Sequence, residues 1–388
     1  SNLTGPQLFL YPTPLVVIAS LLAMSDTPVR WGVIGCAGIA AKTCHGIAEA
    51  KNATVVAVGS RNMKKATDFA KAHASEAKAY DSYDAVLADE SVQAVYIPLP
   101  TSLRFDWIRK AAEAKKHVLS EKPLAATYRE AVTVMKLCNE NKVQFMDNTM
   151  FMHHPRLLEM KKAIDSPEFG KVKHVVSCFT IPFGNDPAWS SSNIRMSADT
   201  EPLGALGDLG WYNIRISLWA FGWQVPHDVS CHYLQTTRDC VPITVHCIMR
   251  FYSDAEKDDV RTATFDASFT CSLRQWAEVV GEKQSLTLTD FVVNHSLESS
   301  SFEVGEGSIS DRALTFPRQT QPHTQDKCTQ HATLIETMSD LIKDNIKSGG
   351  TTVNKDWFDR ALMTQKVLFA CHQSGQNGGA WVKIDDIR

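Results

Sequence analysis

The chain has 388 residues, 44% of them hydrophobic and 21% charged, with a formal net charge of −3. That length holds two ordinary globular domains with sizeable cores, and a near-neutral chain with no run of Lys or Arg interleaved with aromatics excludes a nucleic-acid-binding protein. Ten cysteines with no C-x-x-C pair and no framework spacing read as reduced, mostly buried thiols, so a reducing, cytoplasmic setting is expected.

Leu8 to Ala23 is a nearly continuous apolar segment broken by Pro12 and Pro14. It is short for a membrane span and lacks the basic start of a signal peptide, so no membrane partner is expected. Met24 opens directly onto the first strand, which makes residues 1–28 an expected extension outside the fold, with a targeting segment as the alternative.

Val29 to Ile34 has the length and Val/Ile/Trp composition of a buried strand, and it stops at Gly35. The sequence Gly35-x-Ala37-x-x-Ala40 is a variant of the dinucleotide fingerprint, in which small residues bring the N–H groups of a helix start against a pyrophosphate. Ala37 replaces the second glycine and narrows the approach without closing it. Gly35, Cys36, Ala37, Ile39 and Ala40 are the expected cofactor contacts of this turn. Ordinary packing of a strand against a helix would also use a glycine here, so the context must decide.

From Val29 to about Asn148, short apolar runs alternate with helical stretches, the signature of βαβ units and a parallel sheet. After the second strand, Val55 to Val58, come Ser60 and Arg61, where an acidic residue would bind a ribose 2′-hydroxyl. A hydroxyl and a planar cation suit a 2′-phosphate instead, so NADP is expected over NAD. Arg61 facing solvent is the alternative. The next strand, Ala94 to Leu99, exits through Leu99, Pro100 and Thr101, an expected wall of the nicotinamide side, because ligands of open parallel sheets lie beyond the carboxyl ends of the strands. His117 to Pro123 then places Glu121 and Lys122 at the same rim.

The second half differs. Val172–Phe179, Val229–Leu234, Val245–Phe251, Arg261–Ser272 and Ser285–Thr289 have strand-like patterning, as expected of an antiparallel sheet with one wetter face. Between them Gly204, Gly207 and Gly210 precede a helical stretch, Tyr212 to Ala220, with Asp208 and Tyr212 four apart, a spacing that places both on one helix face. An N-cap Asp and a core Tyr would show the same spacing. His153 and His154 lack an i, i+4 partner or a carboxylate ligand, so no metal site is expected. Gln330–Ile346 and Asp356–Cys371 read as amphipathic, core-packing helices, and Trp381–Ile384 as a short terminal strand. The fold class is therefore α/β: a dinucleotide-binding domain over 29–148, then an α+β domain over 149–388 with a large, mostly antiparallel open sheet.

Taken together, GCAGIA, SR after the second strand, PLPTSL, HVLSEKP and GALGDLGWY resemble the Gfo/Idh/MocA family, named for glucose–fructose oxidoreductase, inositol dehydrogenase and rhizopine-catabolism proteins. The set is closest to the branch with dihydrodiol dehydrogenase, xylose dehydrogenase and glucose–fructose oxidoreductase. The resemblance implies an oxidoreductase acting on a CH–OH carbon of a sugar, polyol or cyclic dihydrodiol, with Lys122 at the catalytic site and Tyr212 as the proton-transfer residue. It further implies substrate contacts from Arg195 and His154, a departure at Arg104 where many relatives carry histidine, and a homodimer or larger oligomer. Tyrosine ordinarily titrates near 10, so Lys122 is expected to favour the phenolate while Asp208 orients Lys122 or the substrate. A non-enzymatic nucleotide-binding sensor of the same fold is the rival reading.

Overall fold

A computed structural model describes residues 27–252, 259–295, 299–310, 313–324 and 329–388; the expected extension lies outside them except for residues 27 and 28. The first sheet is parallel throughout, in the order β3-β2-β1-β4-β5-β6, with β1 Val29–Ile34, β2 Ala53–Gly59, β3 Lys78–Tyr80, β4 Ala94–Ile97, β5 His117–Ser120 and β6 Phe145–Asp147. β1 is central because both of its faces are covered: Trp31, Val33 and Ile34 are fully buried. It ends at Gly35, whose φ of +117° only glycine adopts without strain, and there the chain turns into the Gly38–Glu49 helix.

The second sheet contains β7 Val172–Thr180, β8 Asp228–Thr236, β9 Pro242–Tyr252, β10 Val260–Ser268, β11 Arg274–Gly281, β12 Gln284–Leu288 and β13 Ser299–Glu306. A small hairpin, β14 Ser308–Ser310 and β15 Ala313–Thr315, precedes the edge strand β16 Arg318–Thr324, and β17 Val382–Lys383 closes the opposite edge. The order among the described residues is β16-β13-β12-β11-β7-β10-β9-β8-β17. Every pair is antiparallel except β7 with β10, where His174 lies opposite Thr262. The strand expected to run to Ser272 stops at Ser268, where Phe269 folds back to donate to Ile243 O. β11 and β13 were not among the expected strands. In β9 the alternation predicted for a half-wetted sheet is plain, with Val245, Cys247, Met249 and Phe251 buried and the residues between them less so.

The two sheets are tied by helices returning from the end of the chain. Gln330–Lys347 crosses Gly38–Glu49 so closely that a Cβ on Gly46 would stand 2.8 Å from His331 Cβ, and its Ser339 accepts from Trp31 Nε1. Asp356–Gln376 sends the Gln365 amide to Leu124 and Ala125. No helix of the described residues is long and apolar enough to cross a membrane.

One buried ion pair spans the junction. Arg215 on the Trp211–Ala220 helix lies 3.0 Å from Asp147 of β6, with both side chains inaccessible and the guanidinium over Trp211. Removing one partner strands a buried charge, so Arg215→Met is expected to cost about 3–5 kcal/mol in urea unfolding, and adding Asp147→Asn to recover part of it. A double variant whose cost equals the sum of the Arg215→Met and Asp147→Asn costs would show that the pair is not coupled.

Candidate active site

The first helix begins at Gly38 after Ala37; the Ala40 N–H turns back to Ala37 O, but among the described residues the N-cap makes no side-chain hydrogen bond, no acidic residue lies in the first turn, and a Cβ on Gly38 would meet nothing within 4 Å. Unpartnered donors at the positive end of a helix, in open space, fit an anionic pyrophosphate. Gly35 donates to Gly59 O, Cys36 is half-buried against the same carbonyl, Ala40 is fully buried and packs the helix on the sheet, and Ile39 stands exposed at the crevice. Arg61 is exposed at the end of β2 beside Tyr83; burial pushes the Tyr83 phenol up, and Arg61 pulls it partly back. Ser60 is buried, and its hydroxyl accepts from Asn62 N at 3.4 Å, so it is partly engaged within its own turn.

At the exit of β4, the expected cofactor wall is mostly scaffold. Thr101 is buried and both its N–H and its hydroxyl bond Glu201, while Leu99 O accepts from Arg104 Nε at 2.8 Å. Arg104 bonds Thr101 Oγ1 at 2.8 Å and also Pro123 O, and so ties this loop to the Glu121–Lys122–Pro123 turn, whose Lys122–Pro123 peptide is cis. Arg104, expected as a departure from the resembled family, is thus a buried brace. The Thr101 side chain, expected among the cofactor contacts, is engaged by Glu201 and Arg104. Pro100 precedes the Thr101–Glu113 helix.

β5 delivers Glu121 and Lys122 in opposite roles. The Glu121 carboxylate accepts from Tyr96 OH and Asn148 Nδ2, each at 2.6 Å, and is buried. Lys122 Nζ donates to Asp208 Oδ1 at 2.7 Å and Asp208 O at 2.6 Å, and it lies over the Tyr212 ring, 4.7 Å from its centre. Arg195 Nε donates to the other Asp208 oxygen at 2.6 Å. Burial raises the Asp208 carboxyl, but Arg195 and Lys122 outweigh it and hold it well below the usual carboxylate range. Asp208 sits in a widened π-type turn, Leu206–Gly210, immediately before the Trp211–Ala220 helix that carries Tyr212. Such turns concentrate at functional sites because they redirect a side chain without ending the helix.

Tyr212 departs from expectation. Its hydroxyl stands 3.8 Å from Met150 Sδ, its ring packs against Phe151 and Phe179, and burial, then Glu121 and Asp208, push the phenol well above 10. The ammonium expected to favour the phenolate is instead held by Asp208 on the face of the ring. At neutral pH Tyr212 is therefore in its protonated form.

A cleft of about 180 Å³ opens beside this cluster, lined by Glu121, Asn148, Tyr212, Asn294, Gln330 and His331 among others, with Ile39 and Met150 as apolar wall. Lys122, Asp208 and Arg195 adjoin it through Tyr212 and are not among its lining residues. His154, an expected substrate contact, is not among its lining residues either: it is 2% exposed, and its Nδ1 accepts from Arg156 N. His153 stacks on Trp357, and no metal-holding group of His, Cys, Asp and Glu exists among the described residues. Sequence reasoning missed Asn148, although the rule that ligands lie beyond strand ends pointed to it as the residue after β6. It had no signal for Asn294, Gln330 or His331, which arrive from the far end of the chain.

A parallel sheet with an open helix end at its rim, facing a cleft walled by the second domain, defines the two-domain architecture of the Rossmann-type oxidoreductases. The profile of the oxidoreductase family with an NAD-binding Rossmann fold, Gfo/Idh/MocA, matches residues 29–149, and that of its C-terminal domain matches 157–287. The chain belongs to this family. It is 34% identical over 255 residues to D-xylose 1-dehydrogenase (NADP(+)) 2 of Haloferax volcanii, spanning 65% of this chain and 73% of that one. It is 37% identical over 189 residues to dTDP-3,4-didehydro-2,6-dideoxy-alpha-D-glucose 3-reductase of Actinomadura kijaniata, an alignment covering 48% of this chain and only 54% of the relative. The fold matches the crystal structure of a 3-ketoreductase from Actinomadura kijaniata in complex with NADP and TDP-benzene, with a TM-score of 0.76 at 24% identity over 90% of this chain and 98% of the other.

Proposed function

We propose that this protein is an NADP-dependent oxidoreductase that transfers a hydride between the nicotinamide and a CH–OH carbon of a sugar, polyol or cyclic diol. The observation that carries the reading is the Lys122 ammonium, fixed by the Asp208 carboxylate against the face of the buried Tyr212 at the carboxyl edge of the parallel sheet. The kinship with an NADP-dependent xylose dehydrogenase and a sugar-nucleotide reductase supports the substrate class.

NADP bound along the open helix end would supply or receive the hydride. The chain's own residues do the rest. Gly35, Cys36, Ala37, Ile39 and Ala40 would hold the pyrophosphate at their turn, Arg61 would pair with the 2′-phosphate, and Leu99 and Pro100 would border the nicotinamide side. Tyr212 gives a proton to the carbonyl oxygen in reduction and takes it back in oxidation. Lys122 stabilises the negative charge that develops on that oxygen, and Asp208 with Arg195 positions Lys122.

The test is the initial rate of NADP reduction, against NAD, over aldoses, inositols and trans-dihydrodiols. Turnover that prefers NADP supports the reading, whereas tight NADPH binding with silence across the panel favours the sensor. Arg61→Ala is expected to raise the KM for NADP by about tenfold to a hundredfold, the worth of a charge-assisted phosphate contact, and to leave that for NAD nearly unchanged. An equal effect on both cofactors would remove Arg61 from 2′-phosphate recognition.

A further inference from the structure

The cleft holds more hydrogen-bond acceptors than the described residues supply with donors. Gln330, 7% exposed at the start of its helix, donates Nε2 to Val292 O at 2.9 Å; this fixes the amide, and its Oε1 is buried with no partner among the described residues. Asn148, 3% exposed, is fixed in the same way by donating Nδ2 to Glu121 Oε1, and its Oδ1 is likewise buried and unpartnered. Asn294 adds a third such carbonyl oxygen. All three residues line the one cleft, together with the Glu121 carboxylate.

Buried carbonyl oxygens are almost always hydrogen-bonded, because their desolvation is otherwise uncompensated. Three of them around one cavity, unpartnered among the described residues and two with amide orientations set by their own donated bonds, point to a ligand that brings hydrogens. An anion is served at the helix-start end of the cleft, where Lys42 lies, whereas beside Glu121 and the three amide oxygens hydroxyl groups would satisfy the acceptors. The apolar Ile39, Met150 and Val293 leave room for the C–H faces of a ring.

We infer that Gln330 and Asn294 are specificity-determining residues that accept hydrogen bonds from hydroxyl groups of the substrate, so that the site takes a fully hydroxylated sugar or polyol and rejects its deoxy analogues. The inference rests on the proposed sugar oxidoreductase activity and narrows its substrate class. It separates this chain from reductases whose substrates lack ring hydroxyls. The signal sits in segments that reach the site only because Gln330–Lys347 packs back on the first domain, with Gly46 admitting His331.

The experiment compares kcat/KM for the best sugar of the panel with its monodeoxy series, in the full chain and in Gln330→Met and Asn294→Ala. NADP affinity is read by fluorescence quenching and sugar binding by calorimetry. The expected result is at least about a hundredfold preference for the hydroxylated sugar at one or more positions, because a site built to bond a hydroxyl is left unpaired by its absence. In each variant that preference falls to within a few-fold at one position, through KM, with NADP affinity unchanged. Deoxy and hydroxylated sugars used equally well by the unaltered chain would overturn the inference. So would variants that weaken NADP binding while keeping the preference, since the amides would then be reading the cofactor. No sugar turnover with NADP sinks the parent reading, and calorimetry still decides this one: absence of sugar binding overturns it, and selective binding of the hydroxylated sugar sustains it.

Discussion

Lys122→Met lowers kcat/KM by about 10³-fold in the direction of sugar reduction and leaves the protein folded. The size follows from removing a preorganised cation from the place where negative charge develops, which costs about 10²–10³-fold for a single donor, together with the disturbed packing over Tyr212. Methionine fills much of the same volume. Asp208 keeps its ion pair with Arg195 at 2.6 Å, so no carboxylate is left unpaired and the melting temperature should stay within a few degrees. Lys122→Arg gives no rescue, because a planar fork cannot take the place of a compact ammonium between Asp208 and the aromatic face. Steady-state rates with circular dichroism check this, and full turnover by a normally folded Lys122→Met would remove Lys122 from the chemistry.

Tyr212→Phe should cost about 10²–10⁴-fold in kcat, the usual worth of a positioned general acid or base, with little change in KM. The pH dependence carries more information. Burial, Glu121 and Asp208 hold the phenol well above 10, so the protonated form needed for reduction is present throughout the neutral range, and the phenolate needed for oxidation is scarce. For oxidation, kcat/KM, which reports the free enzyme, is expected to rise about tenfold per pH unit from 7 towards 10 without a plateau; reduction should be flat over that span. In Tyr212→Phe the rise disappears. A plateau near 7 in the unaltered protein would mean that another group, or a phenol with a strongly lowered pKa, takes the proton.

The parts of this account that were legible in the sequence are the local ones. Val29–Ile34 announces a buried strand because every residue of it is apolar or glycine apart from Arg30, and the glycine turn and helix follow within a few residues. Lys122 was placed at the rim by the same strand-end rule, and Ser60 with Arg61 by their distance from Gly35. What could not be read was how partners meet across the chain. Lys122 and Asp208 are 86 residues apart, and the pair exists only because a wide turn at Leu206–Gly210 aims the carboxylate back at β5. The same carboxylate, beside Glu121 and in a dry setting, pushes the Tyr212 phenol in the direction opposite to the one expected from a lysine nearby. Thr101 looked like a ligand wall because nothing local reveals that Glu201 takes both its donors. Arg274–Gly281 went unread as a strand because its buried Gln275 interrupts the apolar alternation; that amide is occupied by Val293, donating to its carbonyl and accepting from its N–H.

The central claim is hydride exchange between a nicotinamide and a sugar carbon, and isotopic transfer tests it most directly. The best sugar of the panel, carrying deuterium on the carbon to be oxidised, is incubated with NADP and the protein, and the recovered nucleotide is examined by mass spectrometry and proton NMR. One deuterium at C4 of the nicotinamide, with a slower first turnover than for the unlabelled sugar and no transfer in Lys122→Met or Tyr212→Phe, is the predicted result. Unlabelled nicotinamide from a protein that binds both NADP and the sugar would contradict it.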